Sequence, residues 1–188
     1  MYNYDIFVSY KHNTYYENWI FDSFLPLLTK MLLESIKGTE PRIFIDKDSI
    51  IKGSDWKQKL SEAIAYSKCM VAIWSPSYFK SDFCLFEYSS MRAKKNDLII
   101  PFTVHDGKDF PDDAKNIQQI ECQNYARTAE YFKKSKEYYE FECKMLKWSE
   151  QIADRIESAP NFDREWLKIT KQNLIKLKEL ENNYKTIF

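Results

Sequence analysis

Tyr4-Asp5-Ile6-Phe7-Val8-Ser9 opens the chain as a short, nearly unbroken apolar run, and runs of the same kind recur downstream. Arg42-Ile43-Phe44-Ile45 follows a turn around Gly38 and Pro41, and Cys69-Met70-Val71-Ala72-Ile73-Trp74 stops before Pro76. Leu98-Ile99-Ile100-Pro101-Phe102-Thr103-Val104 comes next, and Gln119-Ile120-Glu121-Cys122 is a weaker fifth run. Strands buried on both faces read this way, without strict alternation, so the pattern predicts a parallel sheet covered by helices. The intervening segments fit. Residues 17–36 place Phe21, Phe24, Leu28 and Leu32 at helical spacing, with Pro26 predicting a kink or two shorter helices. A second helix is expected from Ser54-Asp55-Trp56 to about Tyr66, and a third from Ser81 or Asp82 to about Lys95. Alternating strands and helices predict an α/β domain with right-handed crossovers.

Beyond Tyr125 the pattern changes. Phe132, Tyr139, Cys143, Leu146, Ala153 and Ile156 predict one long amphipathic helix, broken at Ala159-Pro160-Asn161. Asp163 can cap a last helix whose seam carries Leu167, Leu174, Leu177, Tyr184 and Phe188, with Thr170 and Glu181 as mismatches. Packing back onto the domain is the expected use of that seam, and a partner surface is the alternative. The expected division is a domain over residues 1–127 and a C-terminal helical extension over residues 128–188.

Composition narrows the chemistry. The 188 residues carry 28 Lys+Arg against 28 Asp+Glu, so no field draws the chain toward nucleic acid or anionic lipid. No apolar run nears the roughly 20 residues of a membrane span, and the N-terminus lacks a signal peptide's pattern, so a soluble, cytoplasmic protein is expected. Cys69, Cys84, Cys122 and Cys143 form no CxxC pair and only His12 and His105 are available, which argues for reduced thiols and against a metal site. With three glycines, Gly38, Gly53 and Gly107, neither GxGxxG nor a P-loop can be written.

Ligands of an open parallel sheet bind at the carboxyl ends of its strands. Here those ends bear Ser9-Tyr10-Lys11-His12, Asp46-Lys47-Asp48 and Ser75-Pro76-Ser77-Tyr78, followed by the helix carrying Phe83 and Glu87 on one face. His12 reads as a solvent-facing loop residue, and His105 is assigned no role.

YDIFVSYKH (4–12), RIFIDKDSIIKGSDW (42–56) and SPSYFKSDFCLFE (75–87) resemble the signature boxes of Toll/interleukin-1 receptor (TIR) domains. IIPFTVHDGKDFP (99–111) and IQQIECQNY (117–125) resemble the family's fourth and fifth strands. The resemblance implies a flavodoxin-like five-stranded parallel sheet with helices on both faces. It makes residues 46–56 a mobile loop that covers the site or mediates self-association. Enzymatic members cleave the nicotinamide–ribose bond of NAD+ with a glutamate in a [WF]-C-x-x-E motif, matched here by Phe83-Cys84-Leu85-Phe86-Glu87. The resemblance thus implies Glu87 as the catalytic residue, with Ser9, Tyr10, Lys11, Asp46 and Phe83 flanking the pocket. NAD+ is then a substrate, and no cofactor is expected.

The family's stand-alone bacterial branch implies anti-phage signalling through an ADP-ribose-derived messenger that activates a separate effector, with self-association through TIR surfaces and the terminal helices. Two other readings compete. One is a non-enzymatic adaptor in which Glu87 is structural. The other is a haloacid dehalogenase-type phosphatase, imitated by Phe44-Ile45-Asp46-Lys47-Asp48, but Asp112-Asp113 is poorly placed to complete its metal site.

Overall fold

A computed structural model describes residues 1–36, 40–46, 56–127 and 129–185. Five strands form one sheet: β1 (Tyr4–Ser9), β2 (Ile43–Ile45), β3 (Ser67–Trp74), β4 (Ile99–Thr103) and β5 (Ile120–Glu121). Their order is β2-β1-β3-β4-β5, and every pairing is parallel. The order reverses between β1 and β3, which opens a crevice at their carboxyl ends. Ile6 pairs with Ile43 on one side and Cys69 on the other, so the first apolar run lies inside the sheet. This is the flavodoxin-like arrangement expected above.

Side-chain alternation along β1 divides the core in two. Ile6 and Val8 join Phe24, Leu28, Phe102, Phe141 and Ile152 on one face, whereas Phe7 joins Leu60, Met70, Trp74 and Leu177 on the other. The first face is covered by α1 (Glu17–Trp19), a π-helical turn (Ile20–Phe24), α2 (Leu25–Ser35) and α7 (Lys136–Glu157). The second is covered by α3 (Trp56–Ala65), α4 (Asp82–Lys94) and α8 (Glu165–Lys185). Short helices α5 (Asp112–Lys115) and α6 (Ala129–Phe132) complete the described elements.

The interruption expected at Pro26 is a π turn immediately before it. Proline has no N–H for the carbonyl four residues back, and one widened turn accommodates the gap without breaking the helix.

The predicted face of the long helix holds at its end, where Ala153 and Ile156 are buried, and requires correction over its first half. Tyr139 and Leu146 are 67% and 44% exposed and Cys143 is exposed, while Phe141, Met145 and Ile152 are buried. Both stripes repeat at helical spacing. The tertiary choice falls on the stripe whose aromatic rings meet the core: Phe141 lies 5.9 Å from Trp19 and 5.5 Å from Tyr125, and Trp148 lies 5.5 Å from Phe102. Phe132 is on a separate short helix, because Ser135 starts α7 by accepting from the Tyr138 amide.

On α8 the buried line is Trp166, Thr170, Leu174 and Leu177, packed against α3 and α4. Tyr184 and Phe188 fall outside what the structure describes at side-chain level. The two seam mismatches are themselves contacts: Thr170 donates to Leu167 O at 3.3 Å, and Glu181 pairs with Lys57. Lys94 adds a clasp, donating to the carbonyls of Ile64, Ala65 and Ser67 at the end of α3 while lying 4.5 Å from the Trp166 ring. The central part of the seam is therefore occupied within the chain, which is the packing expected of it.

Candidate active site

Glu87 reaches the sheet because of where α4 begins. A turn after β3, closed by the Tyr78 amide donating to Ser75 O at 3.0 Å, leads to Ser81, whose hydroxyl caps the helix by accepting from the Cys84 amide at 3.5 Å. From that start, Phe83 and Glu87 fall one turn apart, and Glu87 points at the end of β1. It is only 8% exposed. Ser9 donates to its Oε2 at 2.5 Å, and Ser9 Oγ also meets the Tyr78 hydroxyl at 2.7 Å.

This carboxyl group is poorly compensated. Burial pushes its pKa up to about 8; the Ser9 hydrogen bond pulls it down and the Asp46 charge pushes it further up. Among the described residues, no cation contributes to its ionisation. The thiol of Cys84 is likewise pushed up to about 12, chiefly by burial and then by Glu87.

The other expected residues gather on the same rim. Tyr10 is 3% exposed and donates its hydroxyl to Asp46 O at 2.8 Å. Asp46 accepts from the Trp56 indole at 3.0 Å, and Trp56 meets Phe83 edge-on at 5.1 Å, making an aromatic wall. Lys57 lies 5.5 Å from the Phe83 ring centre. Lys11 is half-buried, and its charge acts on Cys84. Of the expected residues, Ser9 alone bonds to Glu87; the rest form its surroundings. Asp46 and Trp56 flank residues 47–55, so most of the expected mobile loop, with Ile50, Ile51 and Gly53, lies outside the described residues.

Two residues gain a place that sequence reasoning denied them. His12 is half-buried, its ring tilted against Tyr10 with centroids 4.4 Å apart and lying 3.7 Å from both Asp46 and Glu17, so it is not a free loop histidine. Tyr78, a rim residue without assigned role, is fully buried against Ser9. No sequence signal marks that contact, since 69 residues separate the partners. His105 is exposed beside Asp106, and Asp113 is engaged by Arg92 and Tyr88, which leaves the phosphatase reading without its acidic pair.

Two cavities of about 700 Å³ lie elsewhere. One is between α7 and the Ile99–Ile120 end of the sheet, the other between α4 and α8. Neither includes Glu87. Among the described residues, no His, Cys, Asp or Glu cluster is placed to hold a metal, and no helix is long and apolar enough to cross a membrane.

No curated protein matches the chain significantly. The structure is similar to the TIR domain of the Toll-related receptor TRR-2 from Hydra magnipapillata, at 13% identity over 76% of this chain and 98% of that one, with a TM-score of 0.48. It is also similar to the TIR domains of the activated Roq1 resistosome, which recognises the pathogen effector XopQ, at 20% identity over 93% and 99% of the chains, with a TM-score of 0.41. The TIR domain family matches residues 6–135, well over half of the sequence, and the chain therefore belongs to the TIR domain family.

Proposed function

We propose that this TIR domain cleaves the nicotinamide–ribose bond of NAD+, with Glu87 as the catalytic carboxylate. The observation that carries the reading is a buried glutamate at the carboxyl end of the sheet, beside the β1/β3 reversal, with no cation among the described residues to neutralise it. A structural carboxylate at that depth normally has one. A cationic substrate supplies the missing charge.

The chemistry needs little else. The C1′–N bond breaks with its electron pair leaving on nicotinamide, which departs neutral from a pyridinium and requires no acid. The ribosyl group becomes oxocarbenium-like, as in glycoside hydrolysis. A carboxylate against the ribose stabilises that charge. Water then adds to C1′ and releases a proton to give ADP-ribose; attack by an atom of the same molecule gives a cyclic isomer, and attack by another acceptor gives a conjugate. Ser9 orients the carboxylate, the Phe83–Trp56 wall offers a face for a flat ring, and Lys11 offers a charge to phosphate. By resemblance, the product is a messenger in bacterial anti-phage signalling, acting on a separate effector.

A second reading has its own support. Glu87 is hydrogen-bonded and nearly closed off, which suits a neutral structural acid in a TIR module that only assembles. Incubating the purified protein with NAD+ over a range of concentrations and measuring nicotinamide separates the two. Release that Glu87→Gln abolishes supports the enzyme; none at any concentration supports the assembly module.

A further inference from the structure

The Tyr78 hydroxyl plays no part in the reaction drawn above, yet it is the most enclosed polar group of the site. Tyr78 is 0% exposed, and its ring packs edge-on against Phe79 with centroids 5.2 Å apart. Its backbone is held on both sides: the amide donates to Ser75 O at 3.0 Å, and the carbonyl accepts from the Ser81 amide at 3.1 Å. The hydroxyl is thereby fixed 2.7 Å from Ser9 Oγ, which is itself 2.5 Å from Glu87 Oε2.

Serine has a single proton to donate, so the direction of this chain depends on Glu87. When Glu87 is a carboxylate, Ser9 donates to it, Tyr78 donates to Ser9, and every proton has an acceptor. When Glu87 is an acid, Ser9 either accepts from both neighbours, which leaves its own proton without an acceptor among the described residues, or takes one of two further arrangements. In one the chain reverses, Ser9 donates to Tyr78, and the phenolic proton is left without an acceptor among the described residues. In the other the direction is kept and Ser9 donates to a neutral oxygen, which makes a weaker bond. All three arrangements favour the carboxylate.

Among the described residues, the groups facing Glu87 leave this task to the hydroxyls. From β1 come Ser9 and Tyr10, from the end of β2 comes Asp46, from the turn after β3 comes Tyr78, and from α4 itself comes Cys84. Burial raises the pKa of Tyr10, Tyr78 and Cys84 and so suppresses their ionisation, and at neutral pH these three bring no charge. Asp46 opposes a second negative charge. We propose that Tyr78 is a positioning residue that, acting through Ser9, holds Glu87 as the reactive carboxylate. The word reactive rests on the proposed function; the effect on ionisation does not.

The test follows the Glu87 carboxyl carbon by NMR in the full chain across pH, its signal assigned by loss in Glu87→Gln. Tyr78→Phe should raise the Glu87 midpoint by about one pH unit, a roughly tenfold change in its ionisation constant. Ser9→Ala should raise it at least as far, and adding Tyr78→Phe to Ser9→Ala should change nothing more. A midpoint that Tyr78→Phe leaves unmoved or lowers overturns the proposal. Should Tyr78→Phe fail to fold, 3-fluorotyrosine in place of Tyr78 keeps the ring and strengthens the donor, so the midpoint must fall; a midpoint that stays or rises overturns the proposal equally. The pH profile of nicotinamide release should move with the carboxyl midpoint. A wild-type protein that releases no nicotinamide removes the proposed function, while the carboxyl midpoint still decides whether Tyr78 controls Glu87.

Discussion

Strand β1 has a buried carboxyl group at each end, and the two are treated in opposite ways. At the amino end, Asp5 is 6% exposed; it accepts from the Arg42 amide at 3.0 Å and from the Arg42 guanidinium at 3.2 Å, and Lys68 lies 2.9 Å away. Burial alone would raise its pKa, but the hydrogen bonds from Arg42 and Lys68 win and hold it at about 2. At the carboxyl end, Glu87 is 8% exposed, has one hydroxyl for support, and is pushed up to about 8. Similar depth thus gives opposite ionisation, and the deciding variable is the partner set. Asp5 ties the amino end of β1 to Arg42 and Lys68 with its charge matched. Glu87 has no matching cation among the described residues and holds its proton up to about pH 8, the kind of perturbed carboxyl group that marks a candidate site.

The comparison breaks most sharply at Glu87→Gln. We expect nicotinamide release from NAD+ to fall about 100-fold or more, with thermal unfolding showing a fold as stable as before. Unchanged turnover would end the catalytic assignment. The converse substitution, Asp5→Asn, should cost about 2 kcal/mol by urea denaturation, because buried, charge-assisted bonds lose their acceptor. Its effect on turnover should be slight.

The two groups should also leave opposite marks on stability against pH. For Glu87, the native state holds a proton that the unfolded chain gives up between its ordinary 4.5 and about 8. That contribution is complete below 4.5 and is lost as pH rises through about 8, with a slope of at most about 1.4 kcal/mol per pH unit. For Asp5 the contribution is present above its ordinary 3.8 and disappears as pH falls through about 2. Urea midpoints of wild type, Glu87→Gln and Asp5→Asn at pH 3 to 9 check both signs. Only the Glu87→Gln protein should lose the decline toward pH 8.

The smallest expected effect concerns Asp46, whose charge disfavours the Glu87 carboxylate. Asp46→Asn should lower the Glu87 midpoint by roughly half a pH unit, read from the same carboxyl titration. A rise instead would mean that the Trp56 and His12 contacts to Asp46 govern the site through its shape.

Much of this was legible in the chain. The strands were visible because a sheet covered on both faces demands apolar side chains at successive positions, as in β1 and β3. The pairing of Phe83 with Glu87 was visible because helical spacing is local. The first half of the α7 face was misread for the same reason: Tyr139–Leu146 and Phe141–Met145 satisfy one periodicity, and only the rings of Trp19, Phe102 and Tyr125 discriminate between them.

What the sequence determined by itself is the alternation of strands and helices, the polar rim, and the residue types on it, because these follow from spacings of two to four positions. What the tertiary structure decided is the state of the glutamate. Ser9 lies 78 residues from Glu87 and 69 from Tyr78, and only the parallel pairing of β1 with β3 brings these three hydroxyl and carboxyl groups into one dry chain. Ionisation is set by burial and by partners in space, and neither is a property of neighbours along the backbone.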